Sequence, residues 1–196
     1  MNGDQRDDLV TSCGDVFLRR PDGSLSETPP FHLPAPPGEP EDWVFMAAGD
    51  FDGDGKTDVA LLANGKEGAL VWLYRNTGNS REPFAARPDA VLAMPGAEVN
   101  RDGPVAADFD ADGIADLILA ARGKEPGACV LTGSRADGLS AERTIAVKLD
   151  YVPHFDTRFG VADFDGDGKP DLAGFGPSPT GATGVYIRLQ GHPGQR

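Results

Sequence analysis

The sequence predicts an all-β fold made of repeated blades, each of four antiparallel strands, with about three and a half blades in the chain. Three observations predict it. An acidic loop recurs along the chain at a period of about 55–58 residues, a spacing typical of repeat architectures. A short apolar run follows each loop, of a length that suits a buried strand. Turn-forming residues then separate further short extended runs. No convincing helical periodicity is present anywhere.

The loops are nearly identical. They read Asp50-Phe-Asp-Gly-Asp-Gly-Lys-Thr-Asp58, Asp108-Phe-Asp-Ala-Asp-Gly-Ile-Ala-Asp116 and Asp163-Phe-Asp-Gly-Asp-Gly-Lys-Pro-Asp171. Carboxylates at alternate positions around a glycine repel one another unless a cation sits among them. An all-oxygen donor set predicts a hard divalent ion, calcium before any other. The expected ligands are Asp50, Asp52, Asp54, the carbonyl of Lys56 and Asp58. The same roles fall on Asp108, Asp110, Asp112, Ile114 and Asp116, and on Asp163, Asp165, Asp167, Lys169 and Asp171. A clipped fourth copy opens the chain and retains Asn2, Asp4, Arg6 and Asp8. Gly55, Gly113 and Gly168 fill the sixth position, where the chain must turn sharply, and Gln5 stands there in the opening copy. An EF-hand begins in the same way but needs a twelfth-position Glu and a following helix. The twelfth residues here are Leu61, Leu119 and Gly174.

The elements follow in a constant order. A small-residue run leads into each loop: Met46-Ala-Ala-Gly49, Val105-Ala-Ala107 and Gly160-Val-Ala162. Such side chains suit strands crowded near a central axis. After the loop come the apolar runs Val59–Leu62, Leu117–Ala120 and Leu172–Phe175. Turns at Asn64–Ala69 and Arg122–Ala128 lead to alternating strands at Leu70–Tyr74 and Cys129–Leu131, with counterparts at Val185–Leu189 and Asp15–Arg19. Further turns at Pro21–Gly23, Asn76–Gly78 and Ala136–Gly138 precede a last extended run near Phe31–Leu33, Ala90–Leu92 and Thr144–Lys148. Each unit is therefore four strands, one blade of a propeller. The array divides into a partial blade over about 1–42, blades over about 43–98 and 99–155, and a partial blade over about 156–196.

These features resemble the FG-GAP or VCBS repeat family, the calcium-loop blades of integrin α-subunit propellers and many secreted bacterial proteins. The string Asp-Phe-Asp-Gly-Asp-Gly-x-x-Asp carries the resemblance, which covers essentially the whole chain. It implies a β-propeller with calcium held between the first two strands of a blade. The departures are Ala111 at the fourth position, Gln5 at the sixth, and the missing start of the opening copy.

Charge and composition narrow the function. With 31 acidic and 18 basic residues the formal net charge is −13. Much of the excess lies in the loops, so it is largely a property of the sites. A basic patch for nucleic acid is lacking. No apolar run approaches a membrane-spanning length, and no signal peptide opens the chain. Opening inside a loop motif fits a signal carried on an upstream part. Loops of this type work best where calcium is plentiful, which predicts an extracellular or secreted location. Cys13 and Cys129 are not at equivalent blade positions. Two separate thiols fit this placement better than a bridge, although the sequence leaves both open.

Other chemistry is sparse. His32, His154 and His192 fall in no metal or nucleophile motif. Loops leading into inner strands face the axis on one side and place Trp43, Arg101, His154 and Arg158 as candidate ligand-binding residues for a sugar or peptide. The plainer alternative makes them ordinary loop residues, with Trp43 covering the core. The expected function is noncatalytic recognition or adhesion. The alternatives are a lectin and the accessory propeller of a secreted polysaccharide-acting enzyme. Carboxylate pairs for glycoside hydrolysis exist, but nearly all are claimed by the loops. The first blade lacks its inner strand and the last its outer strand, so the blades do not close in the ordinary way. Exposed edges then predict a homo-oligomer, most simply two copies edge to edge, or a larger parent propeller. A small closed ring of four blades is the alternative.

Overall fold

The computed structural model describes residues 1–11, 13–34, 45–95, 97, 99, 103–121, 127–149, 159–177 and 180–190. Among these residues every regular element is a strand. The first sheet holds β1 (Leu9–Val10), β2 (Asp15–Phe17) and β3 (Phe31–His32). The second holds β4 (Phe45–Gly49), β5 (Asp58–Gly65), β6 (Gly68–Tyr74) and β7 (Ala90–Pro95). The third holds β8 (Val105–Ala107), β9 (Asp116–Ala121), β10 (Gly127–Leu131) and β11 (Thr144–Lys148). The fourth holds β12 (Phe159–Ala162), β13 (Asp171–Pro177) and β14 (Thr183–Arg188). Within each sheet, neighbours in sequence pair antiparallel. The all-β array of three- and four-stranded blades therefore stands as expected. Among the described residues no strand pairing joins the first sheet to the fourth, and the array is open.

Burial explains the strand sequences. From Asp58 to Ala63, β5 is buried throughout, because sheets cover both of its faces. That is why it reads as a continuous apolar run, whereas a half-exposed strand alternates. Three apolar clusters fill the spaces between consecutive sheets. Val16 and Leu33 pack with Val59, Leu61, Trp72 and Tyr74. Phe51, Leu62, Val71 and Leu73 pack with Leu117, Leu119 and Leu131. Phe109, Ile118 and Val130 pack with Phe159 and Leu172.

The small inner strands are crowded where β4 meets the third sheet. A Cβ at Gly49 would lie 2.9 Å from that of Ala115 and 3.3 Å from that of Ala106. The turn after β5 is tighter than its sequence implies. Asn64 and Gly65 still pair with Ala69 and Gly68, leaving two residues at the bend. The Asn64 side chain also crosses to the segment after β7, donating to the Val99 carbonyl at 2.9 Å and accepting from the Val99 N–H at 2.8 Å.

Candidate metal centres

Each acidic loop joins the first two strands of its sheet, so the three full loops occupy the same place in β4–β5, β8–β9 and β12–β13. Their internal hydrogen bonds repeat nearly atom for atom. The first Asp accepts from the fifth-position N–H at 3.0–3.1 Å, through Asp50, Asp108 and Asp163. Its other oxygen accepts from the sixth-position glycine N–H at 2.8–2.9 Å. The fifth Asp accepts from the seventh-position N–H at 2.8–2.9 Å. Short polar side chains thus bend the backbone around themselves, as turn-forming aspartates do.

The result is three matched carboxylate groups: Asp50 with Asp52 and Asp58, Asp108 with Asp110 and Asp116, and Asp163 with Asp165 and Asp171. In each group the three ligand oxygens lie within 4.8 Å of one another. Asp54, Asp112 and Asp167 stand outside these triads. The carboxylate of Asp54 forms an ion pair with the Lys56 ammonium, and that of Asp167 lies 3.8 Å from the Lys169 ammonium. The Ile114 side chain is buried and packs toward the neighbouring loop at Gly53.

The last Asp of each loop holds the backbone as well. Asp58, Asp116 and Asp171 are buried. One oxygen of each accepts from the N–H of Phe51, Phe109 or Phe164 at 2.7–3.1 Å. The other accepts at 2.8 Å from the N–H of Asn76, Gly133 or Gln190. In every case that donor is the second residue beyond the third strand of the sheet. Sequence reasoning missed these donors because only the backbone N–H matters. Asn, Gly and Gln share no side-chain signature, and a constant offset from the strand end is the sole signal. A carboxylate has about four lone-pair sites, so two N–H bonds leave room for a cation.

The electrostatics follow from burial and crowding. Burial, reinforced by the Asp52 charge, pushes Asp58 up to about 7 against the N–H bonds that favour its ionised form. Burial, with Asp110 nearby, pushes Asp116 up to about 6. Burial and then the charge of the fifth Asp also raise Asp52 and Asp110. Asp163, held by the Gly168 N–H, falls below the usual carboxylate range. Arg75 lies 3.8 Å from Asp52 and 3.7 Å from Asp89, a partial counter-charge that the sequence did not reveal.

The opening copy differs. Asp4 pairs with the Arg6 guanidinium at 2.9 Å, and Asp8 accepts from the Met1 nitrogen at 2.6 Å and the Arg19 N–H at 2.8 Å. Asn2 bonds to Asp4. Asp8 thus keeps the backbone role of Asp58, with Met1 in the place of Phe51. Trp43, Arg101, His154 and Arg158 lie outside the described residues, as does His192. Cys13 is exposed and Cys129 buried, and both are free; burial pushes the Cys129 thiol up to about 11. No helix among the described residues is long and apolar enough to cross a membrane.

The comparison with known families decides what this repeated loop is. A model described as FG-GAP-like repeat matches residues 1–61 and 50–119, and one described as FG-GAP repeat matches residues 155–187. The chain belongs to the FG-GAP-like repeat family. Each FG-GAP match contains one or more of the acidic loops, and the FG-GAP repeats correspond to propeller blades. No curated protein and no solved structure matches the chain. The donor set of each of the three full loops is all oxygen, and its three carboxylates converge from a backbone already fixed by hydrogen bonds. These residues fit a hard divalent cation.

Proposed function

We propose that the chain is a noncatalytic, calcium-binding β-propeller module serving extracellular recognition or adhesion. The supporting observation is the threefold recurrence of one carboxylate triad at one place in successive sheets. Asp50, Asp52 and Asp58 hold one ion, Asp108, Asp110 and Asp116 the second, and Asp163, Asp165 and Asp171 the third. Bound calcium supplies positive charge that offsets the repulsion within each triad. Asp54, Asp112 and Asp167, with the carbonyls of Lys56, Ile114 and Lys169, complete the oxygen shells of the three ions. Sites of this kind are filled where calcium is abundant, which favours an extracellular setting. The acidic groups that a hydrolase would need are largely committed to these loops, which favours a noncatalytic role.

Calorimetric titration of chelator-stripped protein with calcium tests the reading. Three sites are expected, and at least two should be resolved. Absence of binding at millimolar calcium would rule it out.

A further inference from the structure

Each sheet has a face turned toward the next sheet in the chain and a face turned toward the preceding one. The strand register identifies equivalent positions on them. Phe51, Val71 and Leu73 point forward from the second sheet and are buried against the third. Phe109, Ala128 and Val130 hold the same positions in the third sheet and are buried against the fourth. In the fourth sheet these positions are Phe164, Val185 and Ile187, which are 46%, 70% and 50% exposed. Phe175, opposite Val185 in the register, is also exposed.

The rear face of the first sheet is uncovered too. Leu9 takes the position of Val59 and Leu117, and Phe17, its register partner, that of Tyr74 and Leu131. Val59, Tyr74, Leu117 and Leu131 are all buried, whereas Leu9 is 46% exposed and Phe17 half-buried.

We propose that the forward face of the fourth sheet docks on the rear face of the first sheet of a second copy, head to tail. The chain itself shows what covers such a face, since forward-on-rear packing already joins the first sheet to the second, the second to the third and the third to the fourth. The new contact continues that interface with the same positions on both sides. An apolar face of this kind, left in water, marks an interaction surface. A head-to-tail contact forms either a ring or a filament. Two copies bring eight sheets together, within the usual four to eight blades of a propeller, and a third would exceed it. A ring built of this chain alone then holds two copies, with two equivalent contacts.

The test is light scattering of the full chain in millimolar calcium, with Val185→Glu and Leu9→Glu as variants and circular dichroism to confirm their folding. Wild type should run at twice the chain mass. Each variant alone should run as a monomer. An equimolar mixture of the two should form a 1:1 complex absent from either alone, because the intact forward face of Leu9→Glu meets the intact rear face of Val185→Glu. That recovery also shows that both variants are folded. A wild type that stays monomeric across a broad concentration series overturns the proposal. So does a Leu9→Glu chain that still dimerises, which would place like face on like face, or a mixture that forms no complex.

Discussion

Two side chains sit where the loop backbone favours glycine. Ala111 has φ of 63° at the fourth position of its loop, and Gln5 has φ of 63° at the sixth of the opening copy. A left-handed residue with a Cβ costs roughly 1–2 kcal/mol, and glycine returns part of that through its greater freedom when unfolded. Ala111→Gly should therefore stabilise the chain by about 0.5–1 kcal/mol and raise the melting temperature by about 1–4 °C. Gly55→Ala should lower it, since a Cβ there meets open space and only backbone strain changes. An unchanged melting curve for both would count against strain at these turns. The raised Asp58 and Asp116 carboxyls give a second residue-scale expectation. A carboxyl lifted from about 4 in the unfolded chain to about 7 or 6 contributes stability that is complete below about pH 4 and is lost as pH rises toward 7. Calcium favours the ionised form and reverses that loss. The gap between melting temperatures in calcium and in chelator should widen from about pH 5 to about pH 7.5. A constant gap would contradict it.

At the scale of the loop, the aspartates separate into two kinds. Asp52 contributes to the triad and touches one backbone N–H within the turn, whereas Asp58 is buried and ties two distant backbone segments together. Removing Asp58 strands the N–H groups of Phe51 and Asn76, at about 1–3 kcal/mol for each buried donor. Asp58→Ala should destabilise the chain in calcium and in chelator alike. Asp52→Ala should destabilise it in calcium but leave it as stable or more stable in chelator, where a repelling charge has gone. Chemical denaturation under both conditions distinguishes the two, and equal behaviour of the variants would show that Asp58 has no structural part.

At the scale of the molecule, what the sequence made legible is what local chemistry dictates. The acidic loops, the apolar runs Val59–Leu62 and Leu117–Ala120, and the small inner strands could be read because a loop or a buried strand constrains residue types directly. Among the described residues, fourteen strands fall into sheets in the anticipated order. Less was legible where geometry is set by distant backbone. Four aspartates per loop look alike in sequence, yet three lie within 4.8 Å of one another, and Asp54 and Asp167 also lie beside Lys56 and Lys169. The alternation Val185-Tyr-Ile187 marks a strand with two apolar sides, but which side stays uncovered depends on whether another sheet follows.

The Asp50 and Asp108 loops also touch one another. The Ala115 N–H donates to the Asp50 carbonyl at 2.9 Å, and the Ser134 N–H donates to the Phe51 carbonyl at 3.1 Å. Gly133 lies in the same seam, where a Cβ would come within 2.4 Å of the Ala115 carbonyl. On the proposed calcium binding, ordering one loop should help to order the other, giving positive cooperativity between two ions that share no ligand. The fourth sheet has Pro170 in the place of Ala115, with no N–H to offer Asp108, so its loop lacks this link. Calcium should fill the Asp50 and Asp108 loops together, with the Asp163 loop less tightly coupled to them. Asp110→Ala should weaken binding at the Asp50 loop about fivefold or more, while Asp165→Ala weakens it less. Loop-resolved NMR titration reads both, and equal effects of the two substitutions would mean that the seam transmits nothing.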